Sequence, residues 1–425
     1  MDEEEEEEEE VLDYDDSSVL KYVMSTASSS NSSPSSSLPT QKPSNLFSSF
    51  AYNLHPSDPG VSLDLEATYS MHFHPTYDGL LVVGGKGGIV SLLSTPRGGK
   101  TNSSLLMSAK CHDRWVSTTK FLSNTTGLYM VTASDDGFIK VWDVSKSSKG
   151  TSVNKPKILS SNGSTHGRRG VYSFDECGGW IVSGSKDRNV CISRLQDDMT
   201  ITGVTSYEEC HSGVVKSVSW QYEGEGVESK VPPHVFVSGG QDKLICLKDI
   251  RVPCSEFITL FRYNNTGVHH VEFNNMGGGD AANLFVVAGL DPVVKVFDIR
   301  MLSGSKEEPK HLYEFIGHAK SGLRSYKSML APKFMSEDVL VALGEDSDFV
   351  SLYCLKTGRT LARGEMPEKP MAVAVNPCSQ ATVHVVTDAV EEDKSGDVSQ
   401  DSGHRVTAHL AIAGRRSRQF YSLTL

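Results

Sequence analysis

Residues 131–145, VTASDDGFIKVWDVS, contain two short apolar segments with a polar turn between them. Small residues end the first segment, Asp136 lies in the turn, and apolar residues resume with Phe138. Short apolar runs separated by Gly, Asp, Asn and Ser are typical of β-strands, and no 3.6-residue helical period accompanies them. The stretch therefore predicts two antiparallel strands joined by a tight turn.

The same pattern recurs along the chain, which indicates a repeat protein. Four further copies are VSGSKDRNVCISRLQ (182–196), VSGGQDKLICLKDIR (237–251), VVAGLDPVVKVFDIR (286–300) and VALGEDSDFVSLYCL (341–355). The turn aspartates of the five copies are separated by 51, 55, 49 and 55 residues. Two weaker copies without the aspartate lie at 82–93 and 411–423. The sequence thus predicts seven units of about fifty residues, each too small to bury its own core.

This arrangement resembles the WD-repeat β-propeller family, whose pattern is matched best by His112, Thr132, Asp136 and Trp142. In that family these residue types form a hydrogen-bond network within a blade. The resemblance extends from about residue 60 to residue 425 and implies an all-β, seven-bladed propeller of four-stranded sheets. The residues assigned to this structural network are His112, Thr132, Asp136, Trp142, Asp187, His211, Ser238, Asp242, Asp291, His318 and Asp346.

The last unit supplies only three candidate strands, at 371–376, 409–414 and 418–425. We expect the fourth strand to come from residues 45–65, because pairing the two ends of the chain would remove two open sheet edges at once. The insertion 390–403 in this unit is polar and acidic, and it is predicted to be a mobile loop.

Residues 1–45 differ in composition from the predicted propeller domain, residues 46–425. Twelve acidic residues and no basic ones lie within residues 2–16, and a Ser/Pro/Asn-rich stretch follows. Such a segment buries too little apolar surface to offset the entropy of ordering, so a disordered extension is predicted. Val19–Val23 within it is either part of the disordered extension or a short helix that docks on a partner.

Charge and composition exclude several classes of protein. The chain carries a net charge of −12, but outside residues 2–16 it has 41 acidic and 41 basic residues, which argues against binding nucleic acid through phosphate charge. No long apolar run predicts a membrane span, and the acidic N-terminus does not resemble a secretory signal. The eight cysteines include no C-x-x-C pair, so we expect reduced thiols in an intracellular protein of the nucleus, the cytoplasm or both.

Catalytic and metal-binding motifs are not found in the sequence. It contains neither a G-x-S-x-G elbow nor an H-E-x-x-H helix, and Gly98–Thr101 lacks the preceding glycine of a phosphate-binding loop. His72 and His74 share one side of a predicted strand without a third ligand nearby. The prediction is a protein that is not an enzyme and that holds no metal and no cofactor.

Two consecutive repeats end in an Asp-x-Arg motif, Asp249–Arg251 and Asp298–Arg300. Both motifs follow the third strand of a repeat, on the side opposite the aspartate turns. The arginines either contact a partner protein, since a guanidinium suits carboxylates and carbonyls, or bind only the aspartates of their own blade. The sequence leaves both interpretations open.

The two motifs resemble the W-D-x-R box of receptors that dock on the propeller adaptor of cullin-4 ubiquitin ligases, with Lys248 and Phe297 at the aromatic position. The C-terminal third, from Gly317 onward, is similar to the member-4 type of cullin-4-associated factors. The resemblance implies a substrate receptor that binds the ligase adaptor and an unidentified substrate protein. The alternative is a WD-repeat scaffold of a nuclear, RNA or chromatin complex that has no ligase role.

Overall fold

The computed structural model describes most of the chain beyond residue 66. The described residues are 53–56, 67–95, 104–122, 127–145, 156–208, 210–222, 233–253, 259–263, 266–276, 278–289, 293–302, 309–316, 331–343, 349–365, 370–377, 409–414 and 420–424. The predicted disordered extension 1–45, with Val19–Val23, and the predicted acidic loop 390–403 lie outside these residues.

A short strand, β1 (Asn53–Pro56), is followed by six antiparallel sheets, blades 1 to 6, each made of four strands that are consecutive in the chain. The strands of blades 1 to 3 are β2 (Thr68–Phe73), β3 (Leu80–Gly85), β4 (Ile89–Ser94), β5 (Ser104–Lys110); β6 (Val116–Phe121), β7 (Tyr129–Ser134), β8 (Ile139–Asp143), β9 (Lys157–Asn162); and β10 (Val171–Cys177), β11 (Trp180–Ser185), β12 (Val190–Leu195), β13 (Ile201–Tyr207). The strands of blades 4 to 6 are β14 (Val215–Trp220), β15 (Val235–Gly240), β16 (Leu244–Asp249), β17 (Thr259–Arg262); β18 (Val268–Phe273), β19 (Leu284–Gly289), β20 (Val294–Asp298), β21 (Tyr313–Phe315); and β22 (Lys333–Phe334), β23 (Val339–Leu343), β24 (Phe349–Cys354), β25 (Thr360–Glu365).

The remaining strands form a composite sheet from both parts of the chain. Its strands are β26 (Pro370–Val375), β27 (His409–Gly414) and β28 (Phe420–Thr424), in the order β1–β28–β27–β26. β1 lies antiparallel to β28, with Leu54 opposite Leu423. The all-β propeller architecture is confirmed, but the prediction of seven blades is corrected: six blades consist of consecutive strands, and the last sheet is a composite that no single repeat builds.

The first strand of each of blades 1 to 6 is innermost, as is β26 of the composite sheet, and neighbouring inner strands pack on one another. β2 contacts β6 and β26, β6 contacts β10, β10 contacts β14, and β14 contacts β18. This packing explains the small residues at the end of the second strand in blades 1 to 5. A Cβ on Gly184 would lie 2.5 Å from Cγ1 of Val215 in the next inner strand, and a Cβ on Gly239 would lie equally close to Val268. Apolar side chains fill the spaces between the sheets, for example Val182, Trp220 and Phe236 between blades 3 and 4.

The strands of each blade are lettered a to d from the inside outward, which defines two faces of the propeller. The b–c face carries the turns between strands b and c. The inner strands start on the same face, because Val116 at the start of β6 pairs with Ser134 at the end of β7. The c–d face is the opposite one and carries the ends of strands c. For example, Asp249 at the end of β16 pairs with Val235 at the start of β15. Among the described residues, no helix is long and apolar enough to span a bilayer.

Strand β1 should stabilise the propeller, because its four residue pairs with β28 cover an edge that is otherwise open. Deleting residues 1–60 is expected to cost about 4 kcal/mol, roughly one for each hydrogen bond lost, and to promote association through the exposed edge. Thermal unfolding by circular dichroism, with light scattering, measures both effects. Deleting residues 1–45 is the matched control because it leaves β1 in place; equal melting temperatures for the two proteins would contradict this role.

Candidate protein-interaction surface

Blade 2 contains a complete hydrogen-bond network that joins its strands. His112 Nδ1 lies 2.8 Å from Asp136 Oδ2 and His112 Nε2 lies 2.7 Å from Thr132 Oγ1. Trp142 Nε1 donates to the same Thr132 hydroxyl at 2.8 Å. Since Trp can only donate, that hydroxyl accepts from Trp142 and donates to Nε2, which leaves Nδ1 to donate to the carboxylate. Burial lowers the pKa of His112, in keeping with this neutral ring.

Blade 3 has the same network without the tryptophan. His166 lies 2.8 Å from both Asp187 Oδ2 and Ser183 Oγ. Ser193 occupies the position of Trp142, and its buried hydroxyl has no partner among the described residues. Sequence reasoning missed His166, although it precedes strand β10 by five residues, much as His112 precedes β6 by four.

In blade 4, His211 joins Ser238 at 2.9 Å and Asp242 at 3.0 Å. Lys248 replaces the tryptophan: it is fully buried, and its Nζ donates to the carbonyl of Pro253 beyond the end of strand c. The predicted network residues Asp291, His318 and Asp346 lie outside the described residues. The networks of blades 2 to 4 therefore fix the b–c turns and the strand ends around them.

The first Asp-x-Arg motif forms a closed turn at the end of strand c of blade 4. Asp249 Oδ1 accepts from the backbone N–H of Arg251 at 2.9 Å, and the guanidinium donates through Nε at 2.9 Å and through Nη2 at 2.5 Å. The hydrogen bonds from Arg251 lower the pKa of Asp249, so the pair is ionised at neutral pH. The Arg251 side chain is nevertheless 62% exposed.

The second motif repeats this geometry in blade 5. Asp298 accepts from the backbone N–H of Arg300 at 2.9 Å, from Nε at 3.0 Å and from Nη2 at 2.7 Å. Burial raises the pKa of Asp298, but the hydrogen bonds from Arg300 lower it by more, and the net shift is downward. Arg300 also donates to Asp280 in the a–b connection of the same blade, a contact that sequence reasoning did not anticipate.

The two motifs lie next to each other on the c–d face. Ile299 and Leu302 of blade 5 pack in the same apolar cluster as Val235, which pairs with Asp249 in blade 4. Each arginine is followed by an exposed apolar residue, Val252 or Met301. We call residues 249–252 and 298–301 the arginine rim. Arginine and methionine are enriched at protein interfaces, so this rim has the chemistry of a docking surface.

The aromatic position before each motif is filled differently in the two blades. Phe297 is fully buried and stacks on Phe285 with ring centroids 5.4 Å apart, while Lys248 packs over the ring of Tyr207 at 5.5 Å. Both residues hold the end of strand c from within the sheet. In the part of the chain that the structure describes, no group of three or more His, Cys, Asp or Glu residues is placed to hold a metal ion.

Comparison with known proteins supports the repeat assignment. The family model described as WD domain, G-beta repeat matches residues 103–143 and 159–192, which carry the networks of blades 2 and 3. No curated protein matches the sequence. Among solved structures, the crystal structure of Chaetomium thermophilum Raptor is similar, with a TM-score of 0.60 and 16% identity over 86% of this chain. This chain spans 28% of the length of that one, and the likeness concerns the fold alone. WD40 repeats on a propeller indicate a protein-interaction role.

The Thr132 hydroxyl is expected to contribute most to the stability of blade 2. Thr132→Val leaves both His112 Nε2 and Trp142 Nε1 buried without a partner, which should lower the free energy of unfolding by about 2–4 kcal/mol. Urea denaturation measures the change. Ser193→Ala is the matched control, because it removes a buried hydroxyl that has no partner and should be neutral or stabilising. An equal loss in both variants would contradict the assigned network.

Proposed function

We propose that this protein is a substrate receptor that docks by its arginine rim on the adaptor of a cullin-4 ubiquitin ligase and performs no bond chemistry itself. The observation that supports the proposal is the pair of exposed guanidiniums, Arg251 and Arg300, held in the same orientation by buried aspartates on adjacent blades. The two motifs also resemble the boxes by which such receptors dock.

The held orientation favours docking, because each arginine is already ordered before a partner arrives. A guanidinium has five N–H donors, and the bond to Asp249 uses two of those on Arg251. The remaining donors and the apolar side chains of Val252 and Met301 are available to a partner. We propose that a standard interface of about 1,600 Å² is centred on them. The proposed location of the protein is the nucleus or the cytoplasm.

The second candidate function is a WD-repeat scaffold of a nuclear, RNA or chromatin complex without a ligase role. The observation that favours it is that both arginines already bind carboxylates of their own blades, and Arg300 binds two. On this interpretation the motifs only close the c–d turns, and partners contact other surfaces.

Affinity purification of the full-length protein, with detection of the ligase adaptor, tests the proposal. Arg251→Ala/Arg300→Ala should reduce recovery of the adaptor at least about tenfold, since arginines at the centre of an interface can each contribute more than 1 kcal/mol. The melting temperature should fall by only a few degrees, because the buried carboxylates of Asp249 and Asp298 keep their hydrogen bonds from the backbone N–H groups of residues 251 and 300, and each half-exposed guanidinium contributes about 1 kcal/mol.

Arg169→Ala/Arg188→Ala removes two exposed arginines from the opposite face and is the matched control. Failure to recover the adaptor with the unmodified protein supports the scaffold instead. The rim variant could instead lose stability markedly while each folded molecule still recovers as much adaptor. That result would show that the motifs serve only internal pairing.

A further inference from the structure

The starts of the inner strands carry a continuous arc of aromatic side chains on the b–c face. The rings of Tyr69 and Trp115 lie 5.3 Å apart at 63°, and those of Trp115 and Tyr172 lie 5.3 Å apart at 70°. Lys216 Nζ lies 4.0 Å from the centre of the Tyr172 ring. These four residues come from blades 1 to 4 in order, so the arc follows the curve of the ring. Tyr69 is 39% exposed, and the other three are half-buried.

The turns beside this arc hold basic residues in a conformation that favours glycine. In blade 2 the third turn residue is Gly137, with φ of 81°. The equivalent residues of blades 3 and 4 are Arg188 and Lys243, with φ of 73° and 70°. L-residues adopt this region at a conformational cost, and glycine avoids that cost. Basic residues in this conformation at the same turn position of two consecutive blades indicate a role beyond shaping the turn.

Backbone hydrogen bonds place these turns against the arc. Lys186 N donates to Gly170 O at 2.8 Å, which holds the turn of blade 3 beside the start of β10 and thus beside Tyr172. Gln241 N donates to Val214 O at 2.8 Å, which holds the turn of blade 4 beside Lys216. The basic turns therefore lie at the same end of their sheets as the inner-strand starts that carry the aromatic arc.

Positive charge exceeds negative charge on the described part of this surface. Exposed basic residues of blade 3 and of the loop before it are Arg168, Arg169, Lys186 and Arg188. Three of the nearby carboxylates bind network histidines, and Asp135 pairs with Arg114 at 3.1 Å. The exposed acids on this part of the b–c face are Asp113 and Glu208. The surplus contrasts with the formally neutral charge of the chain beyond residue 16.

We propose that this surface binds an acidic peptide segment of a partner protein, with an apolar or aromatic side chain of the peptide packed on the arc. We call it the arc site: Tyr69, Trp115, Tyr172, Arg188, Lys216 and Lys243. The basic residues donate to peptide carboxylates, and the aromatic rings provide the apolar contact. The arc site lies on the face opposite the arginine rim and does not depend on it.

A peptide fits this surface better than single-stranded nucleic acid does. Bases stack on aromatic faces, but the rings of Trp115 and Tyr172 meet edge to face and are half-buried. Lys216 already lies over the face of Tyr172. The basic residues cluster in the loop before blade 3 and in the b–c turns of blades 3 and 4. Short acidic peptides need only such a local cluster with an apolar contact beside it.

Fluorescence anisotropy with the full-length protein tests the proposal. The probe is a fluorescein-labelled peptide of alternating Glu and Ser with one central Phe, called the Glu/Phe peptide. Two comparison peptides carry Lys in place of Glu, or Ser in place of Phe. A single-stranded oligouridylate of the same charge is the fourth probe. The Glu/Phe peptide should bind, and its affinity should fall as salt is raised. Equal binding of the Lys peptide, or tighter binding of the oligouridylate, would overturn the proposal.

Arg188→Gly/Lys243→Gly is the decisive variant, because glycine suits the positive φ at both positions. The melting temperature should stay the same or rise, while the Kd for the Glu/Phe peptide rises roughly fivefold or more. Tyr69→Ser should weaken the Phe peptide and leave the Ser comparison peptide unchanged. Arg251→Ala/Arg300→Ala should leave the Kd unchanged. An unaltered Kd in the glycine variant rejects the arc site, whatever the outcome for the ligase adaptor.

Discussion

The close approach of each inner strand to the preceding blade positions the surfaces described above. Val215 packs so tightly against the second strand of the preceding blade that Gly184 has no room for a Cβ. The same contact recurs between Val268 and Gly239. Because the second strands end in small residues, the inner strands converge, and the side chains at their starts meet across blades. The aromatic arc is a direct consequence, since Trp115 reaches both Tyr69 and Tyr172.

The buried histidine networks hold the b–c turns in a fixed conformation. In blades 2 to 4 the turn aspartate is tied to a histidine that in turn bonds the second strand, for example His211 to Ser238. The turn backbone is then fixed by the network and not by its own third residue. That residue differs between blades: a Cβ on Gly137 would lie 2.4 Å from the backbone of Arg168, whereas Arg188 and Lys243 carry side chains at the equivalent positions. A rigid turn also presents its side chain at a lower entropic cost on binding.

Local patterns in the sequence predicted the repeat units, because Asp136, Asp187 and Asp242 each lie in a short polar turn between two apolar segments, and the family pattern supplied much of the network. The sequence could not predict which side chains of neighbouring blades meet. Trp115 and Tyr172 are far apart in the chain and show no shared motif, so the arc was missed. His166 was also missed, although it lies 21 residues before its turn aspartate and His112 lies 24 residues before Asp136. The blade count needed correction because spacing alone treats a composite sheet as another repeat.

The internal pairing of the arginine rim is compatible with the proposed docking, for reasons of entropy. A free arginine loses rotamer freedom when it binds, whereas Arg251 is already held by two bonds to Asp249 and remains 62% exposed. Asp298 is almost fully buried, so the carboxylate that orients Arg300 is itself fixed by the sheet. Arg251 is paired along one edge and still presents donors along the other, whereas Arg300 uses a further donor on Asp280. The Asp-x-Arg turn therefore orders the arginine and leaves some of its N–H donors for a partner. Two such turns on adjacent blades hold two ordered cations at one face of the propeller.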